Sequence, residues 1–314
     1  MTRVVLSIST ALLLLCVAAP AQARPKPIVG IGEQRPEMFV DQHWRDLAKP
    51  DVRYVIAWDA LTRKRERTSA DWYLTWARFN HARVLLSFGH SNKKHRELRM
   101  PTRKQFRKQF KAIRKRYPWV TQFQAWNEAN HGTQPTYKKP KRAAMAYDTI
   151  RSACKKCVVS APSVLDDGMK TIAYIKAFDR AAKHKVKIWS LHNHIDANRN
   201  RLGNKSTTKL FLRHTKGQVW FTETGGIWNR WVPKRGHGKP KKVKIYTHKT
   251  AMRAVRNIFK LARLSPKRVK RIYYYNWYAP KERKPRWDSA LFSYKGKPRP
   301  LFKTFRAQVR KYGR

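Results

Sequence analysis

"VTQFQAWNEAN", residues 120–130, is a β-forming run that stops abruptly at a carboxylate. Val, Thr, Phe and Trp favour a pleated, half-buried strand. Asn127 breaks the pattern, and Glu128 stands at the tip of what reads as a buried strand. Burying a charge without a partner is costly. Glu128 therefore either forms an internal ion pair or faces a site at the mouth of the strand.

The rest of the chain supplies the setting. Short apolar runs recur as "IVGIG" (28–32), "VRYVIAW" (52–58), "ARVLLSFG" (82–89) and "VTQFQAW" (120–126). They continue as "VVSAP" (158–162), "VKIWSLH" (186–192), "QVWFTE" (218–223) and "RIYYYNW" (271–277). Most are apolar at both alternating positions, as strands buried on two faces should be. Between them, residues 69–82, 102–117, 142–154, 169–184, 248–264 and 301–312 carry apolar residues at three- and four-residue spacing, the mark of amphipathic helices. Ser69 is the expected N-cap of the first, and Phe106, Phe110 and Ile113 form the buried stripe of the second. Eight strand–helix units predict an α/β fold, a single (β/α)8 TIM barrel. A doubly wound open sheet is the competing arrangement. No glycine-rich phosphate motif follows any strand, so nucleotide binding has no support and no cofactor is implied. The insertion at residues 231–244 is expected to form a mobile basic loop.

The chain has 314 residues, with 72 Lys and Arg against 18 Asp and Glu, a net charge of +54. Such a field attracts polyanions: nucleic acid, anionic cell-wall polymer or acidic polysaccharide. The charge is spread along the chain, so a solvated basic surface and a specific anionic partner both account for it. The twelve Trp residues and 41% hydrophobic content exclude a disordered basic tail. Arg3, the apolar run 4–17 and the small-residue end at Ala23 read as a secretory signal peptide, residues 1–23, with the barrel in residues 24–314. The run is short for a membrane span, though an uncleaved anchor is the alternative. A secreted or cell-wall-associated monomer without a transmembrane segment is expected. Cys16 would leave with the leader. In an oxidising compartment Cys154 and Cys157 most simply form a small disulfide. A redox site or a zinc site has only this lone CxxC behind it.

The barrel sorts the scarce carboxylates. Functional residues of such barrels lie at the C-terminal strand ends. Glu128 ends the fourth run and Glu223 the seventh, both within aromatic-rich sequence. Two facing carboxylates are what glycosidic cleavage needs: one carries a proton to the leaving oxygen, and the other attacks or activates water. Burial and repulsion hold one protonated while the other stays charged.

"WNEAN" (126–130) and "WFTETGG" (220–226) resemble the acid/base and nucleophile motifs of the clan A glycoside hydrolases, over nearly the whole barrel. The resemblance implies a retaining β-glycosidase with Glu128 as acid/base and Glu223 as nucleophile. It implies that Asn127 binds the sugar 2-hydroxyl, and that Trp277 is the aromatic flooring the same sugar site. The sequence departs from the family at the sixth strand. A Tyr often bonds the nucleophile there, whereas this chain has "SLHNHID" (190–196), with His192 and His194. If the strand persists, both face the pocket, and His194 is placed to take the Tyr role. His90, in "FGHS", is a further pocket candidate, and His131 follows Glu128 in its loop. A metal reading would cluster these histidines, but the paired glutamates already explain the site. Trp228 and Trp231 are candidates for stacking on sugars. The alternative function is a non-catalytic barrel that holds anionic wall polymer or nucleic acid on its basic surface.

Overall fold

The computed structural model describes residues 25–47, 51–233 and 240–313. The expected leader, residues 1–23, lies outside the described residues. Among the described residues no helix is long and apolar enough to cross a membrane.

The strands are β1 (Ile28–Gly32), β2 (Asp51–Ala57), β3 (Val84–Gly89), β4 (Gln122–Gln124), β5 (Val158–Ser160), β6 (Ser163–Leu165), β7 (Ile188–His192) and β8 (Gln218–Thr224). A small antiparallel hairpin, β9 (Trp231–Val232) with β10 (Lys241–Lys242), precedes β11 (Val269–Tyr275). Apart from that hairpin, neighbouring strands run parallel in the order β5-β4-β3-β2-β1-β11-β8-β7-β6. β5 and β6 are consecutive in the chain yet lie on opposite edges. Only Ala161 and Pro162 separate them, so the sheet closes on itself there. Ala161 donates its N–H to the Ile188 carbonyl at 2.8 Å, and Ser163 donates to the Trp126 carbonyl at 2.8 Å. They are one fifth strand interrupted where Pro162 has no N–H to give. Counted so, the structure is the expected barrel of eight parallel strands.

The main helices are α2 (Lys64–Phe79), α3 (Arg103–Arg116), α4 (Pro140–Ala153), α5 (Gly168–Ala181), α8 (His248–Ala262) and α9 (Pro300–Tyr312), with the short α1 (Gln42–Arg45), α6 (His194–Asn198) and α7 (Thr207–His214). α3 shows why the sequence folds as read. Thr102 and Gln105 form a capping box, and Phe106, Phe110 and Ile113 are buried. α2 begins five residues before the expected Ser69 cap. Ser69 instead bonds the Arg65 carbonyl from within the helix, while Arg63 bridges Asp59 and Glu66 at the helix start. α7 escaped the sequence reading; its cap, Ser206, accepts from the Lys209 N–H at 3.1 Å. The expected loop over 231–244 is anchored by the β9–β10 hairpin, with residues 234–239 outside the described part. Cys154 and Cys157 form the expected disulfide between α4 and β5.

The main core lies between barrel and helices. A smaller one, Leu85, Trp220 and Tyr273 with Ile188 against it, plugs the barrel itself. Polar layers sit inside the same barrel. Arg271 reaches Asp51 at 2.8 Å and also bonds Gln122. Gln124 donates to Thr222 at 2.8 Å and accepts from Ser87 at 2.6 Å. Gln122 and Gln124 are the inward residues of β4, so the strand that read as apolar presents amides to the barrel axis.

Candidate active site

Glu128 and Glu223 meet at the C-terminal mouth of the barrel. β4 ends at Gln124, but the chain beyond it is pinned on both sides. Asn127 donates its N–H to the Phe88 carbonyl at 2.6 Å, and Ala129 donates to the Ser163 carbonyl at 2.8 Å. The Glu128 N–H is bonded by Ser163 Oγ at 2.9 Å. Glu128 itself has φ of 47°, in the left-handed region that non-glycine residues seldom adopt. The surrounding hydrogen bonds hold it there, an arrangement typical of residues aimed for a task.

Glu223 is aimed by a β-bulge. Around residues 222–224 the register of β8 shifts against both β7 and β11, placing Glu223 beside His192. In a regular strand Thr222 and Glu223 would face opposite sides. With an extra residue inserted, both point into the barrel. Thr222 bonds Gln124 and Glu223 bonds Arg53. Gly225 then lets the chain pass close beneath the Tyr275 carbonyl, where a Cβ would collide.

Arg53, on β2 and fully buried, organises the centre. Its guanidinium donates to Glu223 Oε2 at 2.8 Å, to Gln124 Oε1 at 3.0 Å and to Asn127 Oδ1. His194 Nε2 lies 3.4 Å from Glu223 Oε1. Burial alone would raise the Glu223 carboxyl. The His194 contact and the field of Arg53 outweigh it, so the carboxyl is held well below its usual range and is charged. His192 is fully buried, with Nδ1 at 3.1 Å from Glu128 Oε1. Burial, aided by Arg53, pushes its imidazole below the ordinary value despite the two glutamates.

A cavity of about 430 Å³ opens between Glu128 and Glu223. Tyr275, Trp287, Tyr246, His194, Arg230 and Arg286 are among the residues that line it, with His131 and Asp166. Asp166 accepts from the N–H groups of Ile195 and Asp196 at 3.1 and 2.6 Å, which fixes the start of α6 and so His194.

A family model for the glycosyl hydrolase catalytic core matches residues 56–305. The chain belongs to the glycosyl hydrolase catalytic core family. A search of curated proteins by sequence found no match. Solved structures share the fold. A family 10 endoxylanase from a sugarcane soil metagenome superposes with a TM-score of 0.62 at 13% identity, covering 89% of this chain and 96% of the other. The family 39 enzyme of Xanthomonas axonopodis pv. citri gives 0.61 at 14%, covering 94% and 68%. The family 53 catalytic domain of Ignisphaera aggregans gives 0.60 at 13%, covering 91% and 99%. The clan A resemblance read from the two glutamate motifs is thereby met in family and fold.

In this glycosyl hydrolase some candidate residues stand elsewhere than expected. Trp277 is a correction. It is wholly buried, stacked on Phe292 at 4.6 Å, with its indole N–H bonded to Asp41 at 3.1 Å. It floors no sugar site, because β11 ends at Tyr275 and the chain then turns into the core. Tyr275 is the aromatic that lines the cavity. His90 stands half-buried just past the end of β3, with its Nδ1 at 2.9 Å from the Ser91 carbonyl. His192 is a second correction, since it touches Glu128 from a fully buried position instead of facing substrate. β7 ends at His192, and His194 opens α6, so strand alternation is not what brings both rings to the site. Trp228 stacks on His248 at 3.5 Å, and Lys284 sits over Trp231 at 5.3 Å. Trp287 takes the cavity position instead. Donor atoms of Glu128, His192 and Glu223 fall within 4.8 Å of one another, close enough for one metal ion. Arg53 on Glu223 supplies the positive charge such an ion would bring, so the set is poorly suited to a cation.

Arg53, Tyr275, Trp287 and Arg230 were not singled out from sequence. Arg53 carried a readable signal: a lone arginine inside the apolar run 52–58.

Proposed function

We propose that the protein cleaves a β-glycosidic bond in an oligo- or polysaccharide with retention of configuration. The carrying observation is the closeness of the carboxylates, with an oxygen of Glu128 within 4.8 Å of one of Glu223. Retaining enzymes separate their carboxyl groups by ~5–5.5 Å, and inverting ones by ~6.5–9.5 Å to admit a water. In this reading charged Glu223, held by Arg53 and His194, attacks the anomeric carbon. Glu128 gives its proton to the departing oxygen. Water then attacks the glycosyl-enzyme, and Glu128 takes the proton back. Asn127 turns its carbonyl to Arg53, which leaves its amide free to donate to a sugar hydroxyl. His194 stands where the family often has a tyrosine. Secretion belongs to the same proposal and rests on the apolar leader; mass spectrometry of the exported protein should place the mature terminus at Arg24.

The test is proton NMR of the first-formed product, which should be the β-anomer. Early release of the α-anomer would overturn retention. Glu223→Gln should be folded and inactive, and Glu128→Gln should lose ~10²–10⁴-fold in kcat. Full activity in either variant would remove its assignment.

A further inference from the structure

We infer that the site takes an anionic glycan, one whose sugar carries a carboxylate or a sulfate next to the bond that is cut, and that Arg230 and Arg286 bind that charge. This rests on the glycosidase reading of the same cavity and names its substrate class.

Both arginines line the cavity that holds Glu128 and Glu223. A chain of contacts ties Arg230 to the centre. His194 lies 3.4 Å from Glu223, the Trp287 ring lies 4.8 Å from His194, and the Arg230 guanidinium carbon lies 5.2 Å from the Trp287 ring. Tyr246 packs near the same guanidinium at 6.0 Å. Arg230 is thus held by aromatic rings and is half-buried, unlike the solvated lysines and arginines of the helices. Its Nε is buried without a hydrogen-bond partner among the described residues. All 18 acidic residues lie among the described residues, and none forms an ion pair with Arg230 or Arg286. For the half-buried Arg230 the lack of a counter-charge is costly, whereas Arg286 is exposed and adds its charge from the cavity wall. An arriving oxyanion relieves that cost, and a guanidinium meets a carboxylate or sulfate with two parallel hydrogen bonds.

The charge balance points the same way. Glu128 and Glu223 face Arg53, Arg230 and Arg286. Asp166, also on the wall, is pushed well above its ordinary value by burial and then by Asp196, and its two oxygens are already taken by the Ile195 and Asp196 N–H groups. Glu223 is already paired with Arg53, so Arg230 and Arg286 line the cavity without a carboxylate of their own. A second cavity of about 380 Å³, over the ends of β2 and β3, repeats the pattern. It is lined by Arg96, Arg99 and Lys108, and its carboxylate, Asp59, is already bound by Arg63 at 2.8 and 2.9 Å.

The test uses the full-length Glu223→Gln protein and titration calorimetry at about 0.15 M ionic strength, where the general surface field is screened beyond about 8 Å. Probes are octasaccharides of hyaluronan and of sulfated chondroitin, each with a neutralised counterpart (carboxyl-reduced or desulfated and reduced), and xylo-octaose. Binding of a charged probe in preference to its neutral counterpart is expected. The reduced and the desulfated forms show whether carboxylate or sulfate is the recognised group. Arg230→Gln and Arg286→Gln should each weaken that binding by about tenfold or more, the worth of a charge-assisted hydrogen-bond pair. The charge-matched Lys111→Gln/Lys115→Gln, on the exposed face of α3, should not. Equal affinity for charged and neutral probes, no binding of any charged probe, or arginine variants that bind as before would overturn the inference. The two readings fail separately. Cleavage of a neutral β-glycan at the same rate in the arginine variants sinks the anionic specificity and leaves the glycosidase standing. Arginine-dependent binding of a charged glycan that the unsubstituted protein never cleaves does the reverse.

Discussion

Arg53 and Glu223 stand 170 positions apart and form a 2.8 Å ion pair across the inside of the barrel. The same guanidinium holds Gln124 and Asn127, so one buried cation fixes both the charged carboxylate and the residue beside the other one. The same group therefore ties β2 to the ends of β4 and β8.

Replacing Arg53 should therefore injure stability and chemistry together. Arg53→Met leaves a carboxylate and two amides without their partner. Breaking a buried pair in this way costs ~3–5 kcal/mol, which urea unfolding will read as a lower midpoint. The acid limb of the pH profile of kcat/KM should also move upward, because Glu223 loses a charge that keeps it ionised. An unchanged acid limb would show that Arg53 does not tune Glu223.

Acidification should destabilise the fold through His192. Its folded pKa lies below the unfolded value of about 6.5. Its contribution is complete above that pH and is lost as pH falls through the folded value. Glu223 acts in the same sense lower down, since its folded value lies below the ordinary carboxyl value of about 4.3. The unfolding free energy should fall as pH drops below about 6.5, and less steeply in His192→Gln. Parallel curves for the two proteins would exclude His192 as the source.

Trp277 and Tyr275 should separate structure from function. Trp277→Ala empties a stacked core position and should cost ~3–5 kcal/mol, with KM unchanged in the fraction that folds. Tyr275→Ala should lose kcat/KM with a smaller change in stability. The opposite pattern would return Trp277 to the sugar site.

The Cys154–Cys157 bridge closes a very short loop, with a Cα–Cα distance of 5.4 Å. Chain-entropy arguments give such a loop no more than ~2 kcal/mol. Cys154→Ser/Cys157→Ser should lower the denaturation midpoint modestly and leave activity intact. Loss of activity without loss of stability would revive a redox role.

Much was determined by the sequence alone. The alternation of two-sided apolar runs with 3.6-period stripes specified eight strand–helix units, and eight such units close into a barrel. Strand ends then brought Glu128 and Glu223 to one mouth, because parallel strands present all their C-termini on one face. These are local signals, written in periodicity and position. What the tertiary structure decided depends on contacts between distant residues. Arg53 reads as an exception in an apolar strand until closure sets it against Glu223. Glu223 and Thr222 share a face only because β8 bulges against two neighbours at once. Tyr275, and not Trp277, reaches the cavity because the eighth strand stops where its pairing to β1 and β8 stops. Side-chain direction at a strand end is set by register with the neighbouring strands, and register between strands remote in sequence exists only once the barrel has closed.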